Sequence, residues 1–179
     1  MCSSLTAGRA YYRHVRLGLV LLGLVLATGA AAAAPAQFFR IQHVIDGDTV
    51  VLANGEHVRL VQIDAPEVQE RECYGDAARA ILRHLLPPGT TVRVEADPRL
   101  DQVDRYGRLL RNLFLGPTNV NLELVREGAA TVWFYDHDRG RYATALYQAA
   151  VSARAKKRGL WGACPRTPFD PFHAANTGP

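Results

Sequence analysis

Short alternating segments separated by turn signals constrain the fold of this chain more than any other feature of its sequence. Asn54-Gly55 lies between two such segments and is a strong signal for a two-residue hairpin turn. The β-rich, period-two composition of a strand occurs at residues 38–45, 49–53, 56–63, 90–96 and 109–115. Five short strands of this kind are typical of a small closed sheet.

Helical periodicity interrupts these segments and then follows them. Apolar residues recur at helical spacing over residues 76–85, and Pro87-Pro88-Gly89 ends that run. Two more helices are predicted, one at residues 122–127 with Asn119 or Asn121 as its cap and one at residues 142–158. This α+β pattern is satisfied by a five-stranded OB-type β-barrel with three helices.

The net charge of the whole chain is weak evidence for binding a polyanion. The 179 residues include 21 Lys and Arg against 17 Asp and Glu, a net charge of +4. Residues 1–36 hold three arginines and no acid, so the remainder has 18 basic and 17 acidic residues, a net charge of +1. A polyanion would therefore have to be bound by a few placed cations rather than by a global basic field.

The amino-terminal segment has the order of a secretory signal peptide. Arg9, Arg13 and Arg16 precede an uninterrupted apolar run at residues 17–27, and Ala34-Pro35-Ala36 fits a cleavage pattern. We predict a signal peptide at residues 1–36 and export to the periplasm or the extracellular medium. An uncleaved membrane anchor is the alternative, because the following alanines could lengthen the run toward the roughly 20 residues of a spanning helix.

Export would leave a single domain with an even number of cysteines. The predicted domain covers residues 37–165, and a flexible tail covers residues 166–179; we expect a monomer without stable membrane association. Cys2 would leave with the signal peptide, so Cys73 and Cys164 would remain. In an oxidising compartment this pair predicts a disulfide, and two unpaired buried thiols are the alternative.

Carboxylates stand where predicted strands begin and end. Asp46 and Asp48 precede the second strand, and Asp64 ends the third, with Glu67 three residues later. Clustered acids without His or Cys at ligand spacing suit a hard cation such as calcium or magnesium, whereas the plainer interpretation is that these acids cap loops.

The predicted register does not by itself bring these acids together. A two-residue turn at Asn54-Gly55 pairs Asp48 with Val61, which leaves Asp64 roughly 10 Å further along the ladder. A shared ion therefore requires a bulge at Gly47 or a departure of Asp64 from the strand.

Two arginines stand out by their positions. Arg59 lies in an otherwise apolar strand, where an unpaired charge is costly, and Arg108 follows the turn signal Asp104-Arg105-Tyr106-Gly107. A guanidinium fits phosphate oxygens in bidentate fashion. A structural ion pair for Arg59 and a solvated turn position for Arg108 are the alternatives.

Taken together, these segments resemble the staphylococcal nuclease (thermonuclease) family, an OB-type barrel with three helices. The matching elements run in order over residues 38–162. They are Asp46-Gly47-Asp48-Thr49, Arg59-Leu60-Val61-Gln62-Ile63-Asp64-Ala65-Pro66-Glu67, Tyr74-Gly75, Asp104-Arg105-Tyr106-Gly107-Arg108, the helix ending at Gly128, and Arg158-Gly159-Leu160-Trp161. Each element is weak alone, and their joint order is specific.

The resemblance implies a calcium-dependent nuclease that cleaves DNA, RNA or both. Asp48 and Asp64 would ligate Ca²⁺ through their carboxylates and Ala65 through its backbone carbonyl, with Asp46 and Thr49 supporting them. The remaining roles follow the same motifs. Glu67 would orient water or act as general base, Arg59 and Arg108 would contact the reacting phosphate, and the substrate would be held by Arg105, Tyr106, Phe134 and Tyr135.

A catalytically silent OB-fold module that binds nucleic acid or a protein is the main rival. Such a module would be expected to lose one or more of the five residues that carry the chemistry. All five are present, and they are Asp48, Arg59, Asp64, Glu67 and Arg108.

Overall fold

A computed structural model describes residues 36–178 of the chain. The signal peptide predicted at residues 1–36 therefore lies, except for its last residue, outside the described part. Within residues 36–178, no helix combines the length and the apolarity needed to cross a membrane.

Eight strands and four helices make up the described chain. The strands are β1 (Gln37–Val44), β2 (Thr49–Leu52), β3 (His57–Leu60), β4 (Ile63–Asp64), β5 (Thr91–Glu95), β6 (Leu109–Leu115), β7 (Thr118–Asn119) and β8 (Thr131–Val132). The helices are α1 (Gly75–Leu85), α2 (Val120–Glu127), α3 (Ala143–Ala155) and the single turn α4 (Leu160–Ala163), with a 3₁₀ turn at Tyr135–His137.

Five of the strands close into a barrel. The order is β3-β2-β1-β5-β6, all antiparallel, and a parallel pairing of β3 with β6 completes the ring. Strand β1 pairs with two strands. Its first half pairs with β5 and its second half with β2, and the register of the β2 pairing shifts between Ile41 and His43. Such an irregularity bends a strand and lets one sheet curl into a barrel. This mixed barrel with three main helices is the predicted α+β, OB-type fold.

The hairpin between β2 and β3 differs from the predicted one by one residue. Thr49 pairs with Arg59, and the Leu52 N–H donates to the Glu56 carbonyl at 2.9 Å, which leaves three residues in the loop. Gly55 adopts a φ of +88°, as expected for the left-handed position that closes a three-residue hairpin loop. The predicted pairing of Asp48 with Val61 is therefore wrong.

The third predicted strand is divided in two. β3 ends at Leu60, the chain turns at Gln62 with a φ of +63°, and β4 leaves the barrel to pair with β8. The Gln62 side chain holds this turn, since its Nε2 donates to the Asp138 carbonyl at 2.9 Å and its Oε1 accepts from the Gly140 N–H at 3.0 Å. Asp64 thus leaves the strand, one of the two conditions for the acids to meet.

Two asparagines near the start of α2 have different tasks. Asn119 caps the helix, because its Oδ1 accepts the Leu122 N–H at 3.1 Å. Asn121 is fully buried; its Oδ1 accepts the Leu113 N–H at 3.1 Å, and its Nδ2 donates to the Val61 carbonyl at 3.0 Å. Asn121 therefore braces the turn that carries Asp64 away from the barrel.

The two cysteines of the described chain form a disulfide. Cys73 and Cys164 are bonded, with their Cα atoms 6.1 Å apart, and the bridge joins the segment before α1 to the end of α4. It closes a loop of 91 residues, for which the chain-entropy model gives about 4.5 kcal/mol of stabilisation.

The segment predicted as a flexible tail lies against the domain. The Phe134 N–H donates to the Pro171 carbonyl at 2.7 Å, and Phe169 packs edge-to-face against Trp161 with ring centroids 5.7 Å apart. The mobility predicted for residues 166–179 stays a prediction.

Candidate active site

The connection from β1 to β2 presents the first carboxylate of the site. Asp48 is buried; its backbone N–H donates to Asp46 Oδ1 at 3.1 Å, and its Oδ1 accepts the Thr49 hydroxyl at 3.0 Å. A Cβ at Gly47 would lie 2.6 Å from the Cβ of Ala65. Glycine here permits close approach to Ala65, and no bulge is involved.

Arg59 joins the two acids whose convergence the sequence left open. Its Nη2 lies 2.9 Å from Asp48 Oδ2 and 2.5 Å from Asp64 Oδ1. Its Nη1 donates to the Leu60 carbonyl at 2.8 Å and to the Ile63 carbonyl at 2.7 Å. A guanidinium has five N–H donors, so only Nε–H is left for other partners. The buried Arg59 is therefore paired, which avoids the cost of an unpaired buried charge.

The acids around Arg59 have raised pKa values. Burial raises the pKa of Asp48 well above its usual range, and Arg59 opposes this only in part. Burial also raises the pKa of Asp64, again against the effect of Arg59. A second positive charge nearby would therefore stabilise the ionised form of both carboxylates.

The donor atoms of this cluster fit a hard cation. Four carboxylates, those of Asp46, Asp48, Asp64 and Glu67, act electrostatically on the one guanidinium. Ala65 is buried, and no donor among residues 36–178 bonds to its carbonyl. No set of three His, Cys, Asp or Glu side chains in the described chain converges as a ready metal cage. Two carboxylates, a carbonyl and water are the oxygen ligands that calcium takes.

Glu67 lies on a short closed loop before α1. Its backbone N–H donates to Glu72 Oε2 at 2.7 Å, and its carbonyl accepts the Glu72 N–H at 3.1 Å. A Cβ at Gly75 would lie 3.0 Å from the Glu67 carbonyl oxygen, so glycine there lets the helix start pack on this loop. Burial, with help from Asp46 and Asp64, raises the pKa of the half-buried Glu67, which suits a group that accepts a proton.

Arg108 is oriented by the turn that precedes β6. Asp104 Oδ2 accepts from Arg108 Nε at 2.6 Å, while Asp104 Oδ1 accepts the backbone N–H groups of Tyr106 and Arg108, each at 2.9 Å. Burial opposes ionisation of Asp104, but these hydrogen bonds outweigh it and lower its pKa. Its Nε is engaged, and no group among residues 36–178 bonds to the two terminal nitrogens of the Arg108 guanidinium, so both can donate to an anion.

Arg59 and Arg108 both line one cleft. This cleft has a volume of about 550 Å³, and its walls also include Arg105, Tyr106 and Tyr135. The structure thus brings both predicted arginines to the wall of one cleft, whereas Asp48, Asp64 and Glu67 do not line it.

The aromatic residues predicted to hold substrate divide into two groups. Tyr106 and Tyr135 are 67% and 60% exposed and lie in the cleft wall. Phe134 is fully buried, and its ring packs against Phe172 with centroids 6.3 Å apart. Trp133, which the sequence analysis did not select, lines the cleft beside Tyr135. Phe134 offers no surface to a ligand in this structure, because its ring belongs to the hydrophobic core.

Several residues that shape the site escaped the sequence analysis. Asp104 was read only as a turn residue, although an acid four positions before Arg108 is a usable signal for an ion pair. Gln62 and Asn121 carry no local signal, because their partners lie 76 and 60 residues away. The backbone N–H of Ala175 donates to Asp64 Oδ2 at 2.7 Å, a contact that no sequence pattern indicates.

Comparisons with known proteins agree with this geometry. Residues 57–163 match the family described as "Staphylococcal nuclease homologue". The chain is 32% identical over 130 residues to "Thermonuclease" of Staphylococcus intermedius, a match that covers 69% of this chain and 75% of that protein. It is 33% identical over 165 residues to "Protein ParB" of Escherichia coli, covering 86% of each. It is 32% identical over 136 residues to "Endonuclease YhcR" of Bacillus subtilis, covering 68% of this chain and 11% of that protein.

Proposed function

Since this chain belongs to the staphylococcal nuclease family and is a nuclease, we propose that it hydrolyses phosphodiester bonds of DNA, RNA or both with calcium as cofactor. One observation supports this most: Arg59 connects the buried pair Asp48 and Asp64 to the cleft that Arg108 also lines. A cation would be favoured there, because it would stabilise the ionised forms of two neighbouring carboxylates whose pKa values are raised.

The chain's own residues would divide the work as follows. Asp48, Asp64 and the Ala65 carbonyl would hold calcium, which when bound neutralises a phosphate oxygen and positions water. Glu67 would accept the proton of the attacking water. Arg108 would donate to the phosphate from its terminal nitrogens, and Arg59 would do so once Nη2 leaves its carboxylate partners.

A silent binding module remains the second candidate function, and one observation bears on it. The four Nη hydrogens of Arg59 are all taken by groups of the chain itself, as in a structural ion pair. Against this interpretation, a structural ion pair does not require a half-buried Glu67 that acts electrostatically on Arg59, or an Arg108 that Asp104 holds in the wall of the cleft.

Calcium dependence gives a direct test. The purified domain is incubated with labelled single-stranded DNA or RNA in calcium or in a chelator, and we expect fragments only with calcium. Asp48→Asn should lose most of this activity and should regain part of it at higher calcium, because one ligand charge is missing. The control Asp76→Asn removes the same charge from a side chain that is 83% exposed on α1, and its rate should match the parent. Binding of nucleic acid without any cleavage in calcium would establish the binding module instead.

We also propose that the chain is exported, is released from the membrane and acts as a monomer. The Cys73–Cys164 disulfide supports export, because such bonds persist in oxidising compartments. In a secreting host, intact mass analysis should find the chain without residues 1–36 and two hydrogens lighter than its reduced form. A full-length chain in the membrane fraction, or two thiols open to alkylation, would contradict this proposal.

A further inference from the structure

Residues 170–178 form a strap whose two ends are tied to two different segments of the domain. At one end the Pro171 carbonyl accepts the Phe134 N–H at 2.7 Å, and at the other the Gly178 carbonyl accepts the Cys73 N–H at 2.6 Å. Phe172 anchors the first end, with its ring centroid 4.5 Å from that of His137.

Between these ends the strap contacts a residue of the cation site. The Ala175 N–H donates to Asp64 Oδ2 at 2.7 Å, while Arg59 Nη2 takes Asp64 Oδ1. Both oxygens of this carboxylate are thus occupied by donors of the chain itself. A backbone N–H presents the positive end of a dipole to the carboxylate, as a bound cation would present its charge.

An ion on Asp64 Oδ2 would meet the strap. Calcium takes six to eight oxygen ligands at about 2.3–2.6 Å, and the Ala175 nitrogen lies 2.7 Å from this oxygen, so an ion on that side of the oxygen would have to displace the N–H. The one carboxylate side chain of residues 170–178 is that of Asp170, and both of its oxygens are engaged within the strap, by the Phe172 N–H at 2.9 Å and by His173 Nδ1 at 2.7 Å.

Two features of the structure favour release of the strap from Asp64. The Thr177 hydroxyl is buried without a hydrogen-bond partner, which weakens the closed arrangement. The disulfide at Cys164 holds the chain just before the strap, so release would not carry the preceding helix away.

We propose that residues 170–178 are an autoinhibitory strap that closes over Asp64 and that calcium displaces. This inference rests on the proposed function, because it takes calcium as the ion that Asp64 binds. The apparent calcium affinity is then the affinity of the open form multiplied by the fraction of molecules that are open, and calcium in turn opens the strap.

A proline substitution isolates the central contact. Ala175→Pro removes the strap's N–H that bonds to Asp64 and changes no residue at either end of the strap. Ala174→Pro is the matched control, since Ala174 is exposed and its N–H bonds to no group among residues 36–178. In calorimetric titrations with calcium alone, Ala175→Pro should bind about tenfold more tightly than the parent, and Ala174→Pro should bind as the parent does.

Hydrogen exchange supplies a second readout that needs no activity. The amides of Cys73 and Phe134 bond to strap carbonyls, so in chelator they should exchange slowly in the parent and faster in Ala175→Pro. Calcium should speed their exchange in the parent.

Two results would overturn the strap: equal or weaker calcium binding by Ala175→Pro, or exchange of both amides at open-loop rates in chelator. If no variant binds calcium, the proposed cofactor is wrong, and exchange in chelator still decides whether the strap closes on Asp64.

Discussion

The Glu67→Gln variant is expected to hydrolyse DNA about 10²- to 10⁴-fold more slowly than the parent chain while its calcium affinity changes little. Glutamine keeps the shape of the side chain and removes its capacity to accept a proton. The carboxylate suits this role because no donor among residues 36–178 bonds to it and because burial raises its pKa. Single-turnover rates and calcium titrations on the same samples separate chemistry from metal binding.

The matched control for this variant is Glu70→Gln. Glu70 is exposed on the same loop and adds to the raised pKa of Glu67, so the substitution removes a nearby charge without touching the proposed base. We expect its rate to stay within a few-fold of the parent. If Glu67→Gln cuts DNA as fast as Glu70→Gln does, proton acceptance belongs to another group.

Replacing either cleft arginine with lysine is expected to lower the rate by about 10²- to 10³-fold, the usual effect of losing one preorganised donor at a developing charge. Lysine keeps the positive charge and loses the planar fork that matches two phosphate oxygens. Arg59 and Arg108 should nevertheless differ in a second measurement, the free energy of unfolding.

The contacts of the two arginines explain that difference. Arg59 is 7% exposed and serves two carbonyls and two carboxylates, so Arg59→Lys should also lower the free energy of unfolding by about 1–3 kcal/mol. The Arg108 side chain is 29% exposed and has one acidic partner, so Arg108→Lys should unfold near the parent temperature. Arg40→Lys, on an exposed position of β1, is the control for both measurements. The assignment fails if Arg59→Lys retains both the parent rate and the parent stability.

Much of the architecture could be predicted because its signals are local. The cap at Asn119, the glycine that ends α2 and the turn before Arg108 depend on bonds between residues at most a few positions apart. Alternation and helical spacing indicated which segments are strands and which are helices. The resemblance to the family then predicted that the acids and arginines share one site.

The hairpin at Asn54-Gly55 marks the limit of this reasoning. The sequence predicts a turn there, but two- and three-residue loops use the same glycine and differ by one position in register. Only the observed pairing of Thr49 with Arg59 decides between them. That choice, with the turn at Gln62, determines whether Asp64 continues along the ladder or swings toward Asp48.

The sequence by itself determined the fold class and the family, because both rest on patterning and on the order of motifs along the chain, and the residues proposed to carry the chemistry follow from the family resemblance. Which of these residues contact one another was decided only by the tertiary structure. Arg59 bridges Asp48 and Asp64 only because Gln62 is held by groups 76 and 78 residues away, and Ala175 reaches Asp64 across 111 residues. Contacts of that separation depend on how the whole chain packs, and no local pattern records them.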